Sequence, residues 1–257
     1  MLHLVLALIL SCARDQPDIN ALIASGRAKQ SQSDKAGARE LYEQAWAEIE
    51  KGPAEDPRRY DIAKLLAGIH TMLGEYPKAE EYLQLAIAWR EAVNGKKDPK
   101  LPDEFVELAV LCYREKDYPR GLQLLRQAMQ RQAELDRFDS LPVADILSRM
   151  AVIHLGQENY SQAAWALESA LDIRAKISGA DHSSLLPDLD RLATTRVKMR
   201  SSRYLHGDRK QGETLYRQAL TLLDPERPEH KQLRELIQGI LKAIASETKP
   251  AKTPKKG

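Results

Sequence analysis

The sequence predicts an all-α fold: a right-handed α-solenoid of about five helix hairpins closed by a C-terminal capping helix. Three observations predict it. Ala, Leu, Glu, Gln, Lys and Arg dominate, while aromatics are 5% of the chain, and no strand-type run of Val, Ile, Thr and aromatics occurs. A two-part pattern of small and large apolar residues recurs about every 42 residues. Proline and glycine fall where such a period would start and stop helices.

The chain opens on an apolar run, Leu2 to Leu10, broken only by His3. It is too short to span a bilayer, which takes about 20 residues, but has the length of a signal-peptide core. Ile9-Leu10-Ser11-Cys12 follows. This resembles a bacterial lipobox, which implies a signal peptide over 1–11, cleavage after Ser11, a lipid on Cys12 and a linker over 12–17. Two or more acyl chains hold a protein firmly on a membrane. The resemblance implies a cell-envelope location, with Ala13 favouring the outer membrane. The alternatives are secretion to the periplasm or beyond, and a cytoplasmic protein.

The solenoid is expected over 18–246, in units of about 18–58, 59–100, 101–141, 142–184 and 185–228. In the second helix of each, a small residue (Ala38, Ala79, Gly121, Ala163, Gly212) precedes a large one by four (Tyr42, Leu83, Leu125, Leu167, Tyr216). An alanine follows three later: Ala45, Ala86, Ala128, Ala170 and Ala219. The first helices carry their own small residues, Gly26, Ala67, Ala109, Ala151 and Ala193, mostly with a large apolar residue four earlier: Leu22, Phe105, Leu147 and Leu189. Small residues let two helix backbones approach, and a large residue from one fills the gap left by the other. Pro77, Pro119, Pro102 and Pro142 suit helix first turns. Gly52, Gly95 and Gly179 suit left-handed helix ends.

Segment 170–193, ALDIRAKISGADHSSLLPDLDRLA, resembles the junction between repeats in the kinesin-light-chain-like branch of the tetratricopeptide repeat family, and 86–109 echoes it. The resemblance implies a stack of helix hairpins whose first helices line a concave, partner-binding groove. The asparagine-rich groove of that branch is missing, so its cargo recognition is not implied here.

The fifth unit is longer by seven residues, two helical turns, which nearly preserves the helix face. Its first helix is expected to reach about Leu205 and turn at Gly207-Asp208. A cap over 229–246 places Leu233, Leu236, Ile237, Ile240, Leu241 and Ile244 on one side, as an open solenoid end requires. Residues 247–257 are too polar to fold. Their lysines are a solubilising end or a weak contact with anionic lipid.

The net charge of +2 is concentrated in that tail, which leaves no basic stripe for a nucleic-acid binder. His70, Cys112 and His154 recur at one repeat position; successive copies are about 10 Å apart in a stack, so core packing rather than a metal or catalytic site is expected. His182 and His230 fall in turns. No catalytic triad, phosphate loop or zinc spacing is present, so no cofactor is expected. The register places Val106, Val110, Tyr113 and Arg114 of the third unit outward on the groove. It adds Ser148, Val152 and Leu155 of the fourth, and Asp190 and Lys198 of the fifth. Lys64, Thr71 and Met72, and Thr194 and Val197, flank them. An apolar centre with a polar rim suits a peptide. The expected function is a membrane-anchored, non-enzymatic scaffold holding an unidentified protein or peptide. The alternatives are a self-assembling structural protein and a regulatory subunit of an enzyme complex.

Overall fold

The computed structural model describes residues 18–179, 183–199 and 208–247. Cys12 and its leader, the expected helix end at Leu205, Gly207, His182 and the 248–257 tail lie outside the described residues. Among the described residues there are eleven α-helices, one short 3-10 turn and no strand. They divide into two compact units, on either side of the Leu135–Asp136 bond.

The first unit holds three antiparallel hairpins: α1 (Ile19–Ser31) with α2 (Lys35–Ile49), α3 (Arg58–Leu73) with α4 (Tyr76–Asn94), and α5 (Leu101–Arg114) with α6 (Tyr118–Glu134). The second holds α7 (Leu141–Gly156) with α8 (Tyr160–Ser178), then the 3-10 turn Ser183–Leu185, then α9 (Leu186–Met199) with α10 (Asp208–Leu222), and last α11 (Pro228–Glu247).

Each hairpin closes on its small residues. Ala38, Ala79, Ala163 and all five following alanines are fully buried, as are Tyr42, Leu125 and Leu167. The first-helix column is buried too, from Gly26 to Ala193. The approach is tightest in the first hairpin. A Cβ on Gly26 would lie 2.4 Å from Tyr42 Cε1, so only glycine fits beside that ring. Truncating Leu125 or Leu167 to Ala costs about 2–5 kcal/mol through lost burial and the cavity left behind.

The tight turns share one construction. One or two residues after each of the first four first helices the backbone turns left-handed: Ser33 (φ 63°), Gly74 (78°), Lys116 (63°) and Glu158 (59°). The next amide then donates back to a carbonyl five residues earlier: Asp34 to Lys29 (3.0 Å), Glu75 to His70 (2.9 Å), Asp117 to Cys112 (2.8 Å) and Asn159 to His154 (2.8 Å). This bond satisfies a carbonyl that the helix end leaves free. The same residue begins the second helix. Asp34 and Asp117 also cap it through their carboxylates, to the amides of Gly37 and Arg120.

The four prolines sit in first turns as expected. Gly95 (φ 80°, ψ 170°) and Gly179 (φ 90°, ψ 150°) end α4 and α8 in a backbone region open essentially to glycine alone. Gly52 does not fit its expectation. It is not among the positive-φ glycines, and α2 ends three residues before it. Arg59 supplies the missing cap. Its guanidinium donates to the carbonyls of Ile49, Glu50, Gly52 and Pro53 at 2.9–3.1 Å.

At the C-terminal end Ile237 is buried, and Ile240 and Leu241 pack against the core of the last two hairpins. Leu236, expected on that side, is 57% exposed, because the buried stripe runs through the neighbouring Ile237. Arg234 donates to the carbonyls of Leu220 and Leu223, tying α11 to the end of α10.

Candidate functional site

The candidate surface is the outward face of the first helices, described in each unit by itself. In the first unit, Tyr113 stands 37% exposed at the end of α5, its ring 5.9 Å from that of Tyr118. Arg114 is exposed beside it, and Val106 and Val110 are partly buried on the same helix. Met72 is 41% exposed at the end of α3. Lys64 is not free for a partner. It donates to Glu104 (2.6 Å) and to Glu107, fastening α3 to α5. Thr71 returns its hydroxyl to the Ala67 carbonyl of its own helix.

In the second unit two expectations fail. Ser148 is buried. It donates to Asp188 Oδ2 at 2.8 Å and accepts from Arg174 at 3.0 Å, so it belongs to an inner polar network rather than a groove. Leu155 packs against the hydrophobic core, because its place at the end of α7 turns toward the neighbouring hairpin. Val152 is partly buried, and Lys198 is exposed. Asp190 is partly buried, and that burial raises its carboxyl above the usual carboxylate range, with Arg191 opposing. The side chain of Val197 lies outside the described residues.

Sequence reasoning missed one column. Glu107, Arg149 and Arg191 stand 42 residues apart on successive first helices, and all three are exposed. The signal was available in the spacing. Arg149 and Lys198 form no ion pair among the described residues, whereas Arg191 reaches Asp188 at 3.3 Å. The outward face of the second unit is therefore cationic, and that of the first is mixed.

His70 and Cys112 are fully buried. His70 Nδ1 lies 2.6 Å from Glu75 Oε2, and its ring stacks on Tyr82 with centroids 5.5 Å apart. Burial pushes the Cys112 thiol up to about 11, so it remains a thiol at neutral pH. With His154, these are the residues whose carbonyls close the hairpin turns. Among the described residues no group of three or more His, Cys, Asp or Glu is placed to hold a metal ion. Nor is any helix among them long and apolar enough to cross a membrane. A cavity of about 450 Å³ lies among Lys96, Phe105, Gln127, Gln130, Arg131 and Glu134. Its arginine is already held by Glu91 at 2.9 Å and the Lys96 carbonyl at 3.0 Å.

Against known proteins, residues 65–100 and 143–184 match the tetratricopeptide repeat family. The chain carries tetratricopeptide repeats. Each matched segment covers a second helix together with its terminal glycine, Gly95 or Gly179. Among curated proteins, the human clustered mitochondria protein homolog is 27% identical over 116 residues, 45% of this chain. The match spans only 9% of that protein's length. Among solved structures, a Podosopora anserina protein with kinesin light chain nearly identical TPR-like repeats superposes with a TM-score of 0.63. It is 21% identical, and the match covers 79% of this chain and 93% of that one. BtubC (BKLC) from P. vanneervenii superposes with a TM-score of 0.59 at 19% identity, covering 90% of this chain and 82% of that one. At these identities the likeness establishes the fold.

Proposed function

We propose that this chain is a non-enzymatic scaffold that captures a protein or peptide on its first-helix face. One observation carries the reading: tetratricopeptide hairpins whose first helices leave Met72, Tyr113 and Arg114 exposed in the first unit, and Arg149 and Lys198 exposed in the second with no ion pair among the described residues. Within the first unit, exposed Tyr113 beside exposed Arg114 has the composition of an interface anchor. A lipid on Cys12 holds the scaffold at a bacterial envelope membrane in this proposal, on the strength of the Leu2–Leu10 run and Ser11-Cys12.

A photo-cross-linking residue at Tyr113, at Arg149, or at Gln84 on the outer side of α4 tests the capture. The expected result is one discrete adduct from Tyr113 or Arg149, absent from Gln84, with its partner's affinity for the purified protein lowered by Tyr113→Ala or Arg149→Glu. Equal adducts from all three positions would overturn the groove. For the anchor, the native chain is expected to incorporate a labelled fatty acid in bacterial cells, and Cys12→Ser is expected to abolish that labelling.

A further inference from the structure

The second helix of the second hairpin differs from its counterparts. On its outer side α4 exposes Leu85 (41%), Ala88, Ala92 and Val93 (44%), which share one face at helical spacing. The matching places hold Gln127, Gln130, Glu134 and Leu135 on and after α6, and Ser169, Asp172, Lys176 and Ile177 on α8. Trp89, partly exposed beside the stripe, gives its indole N–H to the Ala54 carbonyl at 3.1 Å. Glu81 closes the stripe at its far end, about 18 Å from Val93 along the helix.

The loop after this helix is cationic in a particular way. Lys96, Lys97 and Lys100 are exposed, and their ammonium groups form no ion pair among the described residues. The one acid between them, Asp98, is 5% exposed and turned inward. It accepts from Arg90 at 2.8 Å, Asn94 at 2.6 Å and the Lys100 amide at 2.9 Å. The loop's negative charge is thus neutralised inside the fold while its three positive charges face solvent. The corresponding loop positions hold Phe138, Asp139 and Pro142 in one repeat and Ala180, Asp181 and Ser184 in another, with no lysine.

We propose that this edge of the first unit rests on an anionic bilayer surface, the lysines against lipid phosphates and Val93 and Leu85 at the headgroup boundary. A polyanion such as nucleic acid would satisfy the lysines but leave the aliphatic groups in water. A bilayer interface accepts both. The surface extends the anchoring proposed above without depending on Cys12.

The test uses the full chain carrying Cys12→Ser, sedimented with phosphatidylcholine vesicles with and without phosphatidylglycerol. Binding is expected on the anionic vesicles only and is expected to weaken with salt. Lys96→Gln, Lys97→Gln and Lys100→Gln together are expected to lower it by about 100-fold. Leu85→Ser with Val93→Ser is expected to lower it further without changing its salt dependence. The leader and the lysine tail are identical in all variants, and circular dichroism checks that the fold is retained. Equal binding to both vesicle types, unchanged binding of the triple variant, or retention by duplex DNA but not by vesicles would each overturn the proposal. Failure of the lipid anchor is read separately, from fatty-acid labelling of the native and Cys12→Ser chains.

Discussion

The two units hold the same arginine in different ways. Arg90 in the first and Arg174 in the second occupy equivalent places near the ends of their second helices, two repeats apart, and so do the carboxylates Glu104 and Asp188. In the second unit Arg174 binds Asp188 directly, with Asp145 and Ser148 completing the cluster. In the first unit Arg90 turns to the loop and binds Asp98, while Glu104 is taken by Tyr60 and Lys64. Three of the surrounding side chains differ: Lys64 and Asp98 of the first unit stand where the second has Ser148 and His182, and the third is Tyr60. Tyr60 stands in the first unit where Ala144 stands in the second, and its ring lies under the Arg90 guanidinium at 4.8 Å. The phenol donates to Glu104 while its ring face meets Arg90. Burial, first, and the neighbouring Glu104 raise its pKa, so it stays a donor. One repeat position can therefore change partners when its neighbours change.

The largest expected effect follows from removing the arginines. Arg174→Ala leaves Asp188 buried with its main counter-charge gone and is expected to destabilise the second unit by about 3–5 kcal/mol. Arg90→Ala is expected to cost less: Arg174 holds both Asp188 and Asp145 and bonds Ser148, whereas Arg90 holds one carboxylate, Asp98, which keeps Asn94 and the Lys100 amide. Thermal or urea unfolding of the two variants measures both, and an equal loss would break the comparison.

Next in size is a test of the wedge. A double-mutant cycle between Arg90 and Glu104 is expected to show little coupling in the native chain. In a Tyr60→Ala background it is expected to show about 1–2 kcal/mol, as the two groups close on each other.

The turns give a smaller contrast. Lys116→Gly and Glu158→Gly are each expected to stabilise by up to about 1 kcal/mol by relieving a left-handed side chain, while Gly74→Ala is expected to destabilise by a similar amount.

The smallest effect is in pH dependence, where the units carry opposite signs. Burial alone would raise Asp98, but Arg90, the Lys100 amide and Asn94 together hold it below the ordinary 3.8. Its contribution is present above that value and is lost as pH falls through the lowered one. Asp190 is raised by burial, so its stabilisation is present below 3.8 and is lost as pH rises through the raised value. Asp190→Asn is accordingly expected to leave stability unchanged at low pH and to increase it slightly at neutral pH, by comparing unfolding midpoints of the two proteins.

The hairpins were readable in the sequence because close approach admits only small residues. The column from Gly26 to Ala193 and the column from Tyr42 to Tyr216 can be found by counting alone. The candidate surface was less readable. A helical register assigns a direction to Ser148 but cannot reveal that Arg174, 26 residues away, draws it inward. Leu155 has the same outward spacing as Tyr113, yet it packs against the core of the second unit, a contact that spacing alone does not reveal. The Gly52 expectation failed for a related reason: the cap of α2 comes from Arg59, across a loop whose path no local pattern specifies.

The hairpin tips have a consequence for how such a chain can change. Ser33, Gly74, Lys116 and Glu158 hold one backbone shape with four unrelated side chains, because the returning amide bond fixes the turn whatever the residue is. Each of these tips is an interchangeable letter: its charge can be rewritten, from lysine to glutamate, while the hairpin beneath stays as it is.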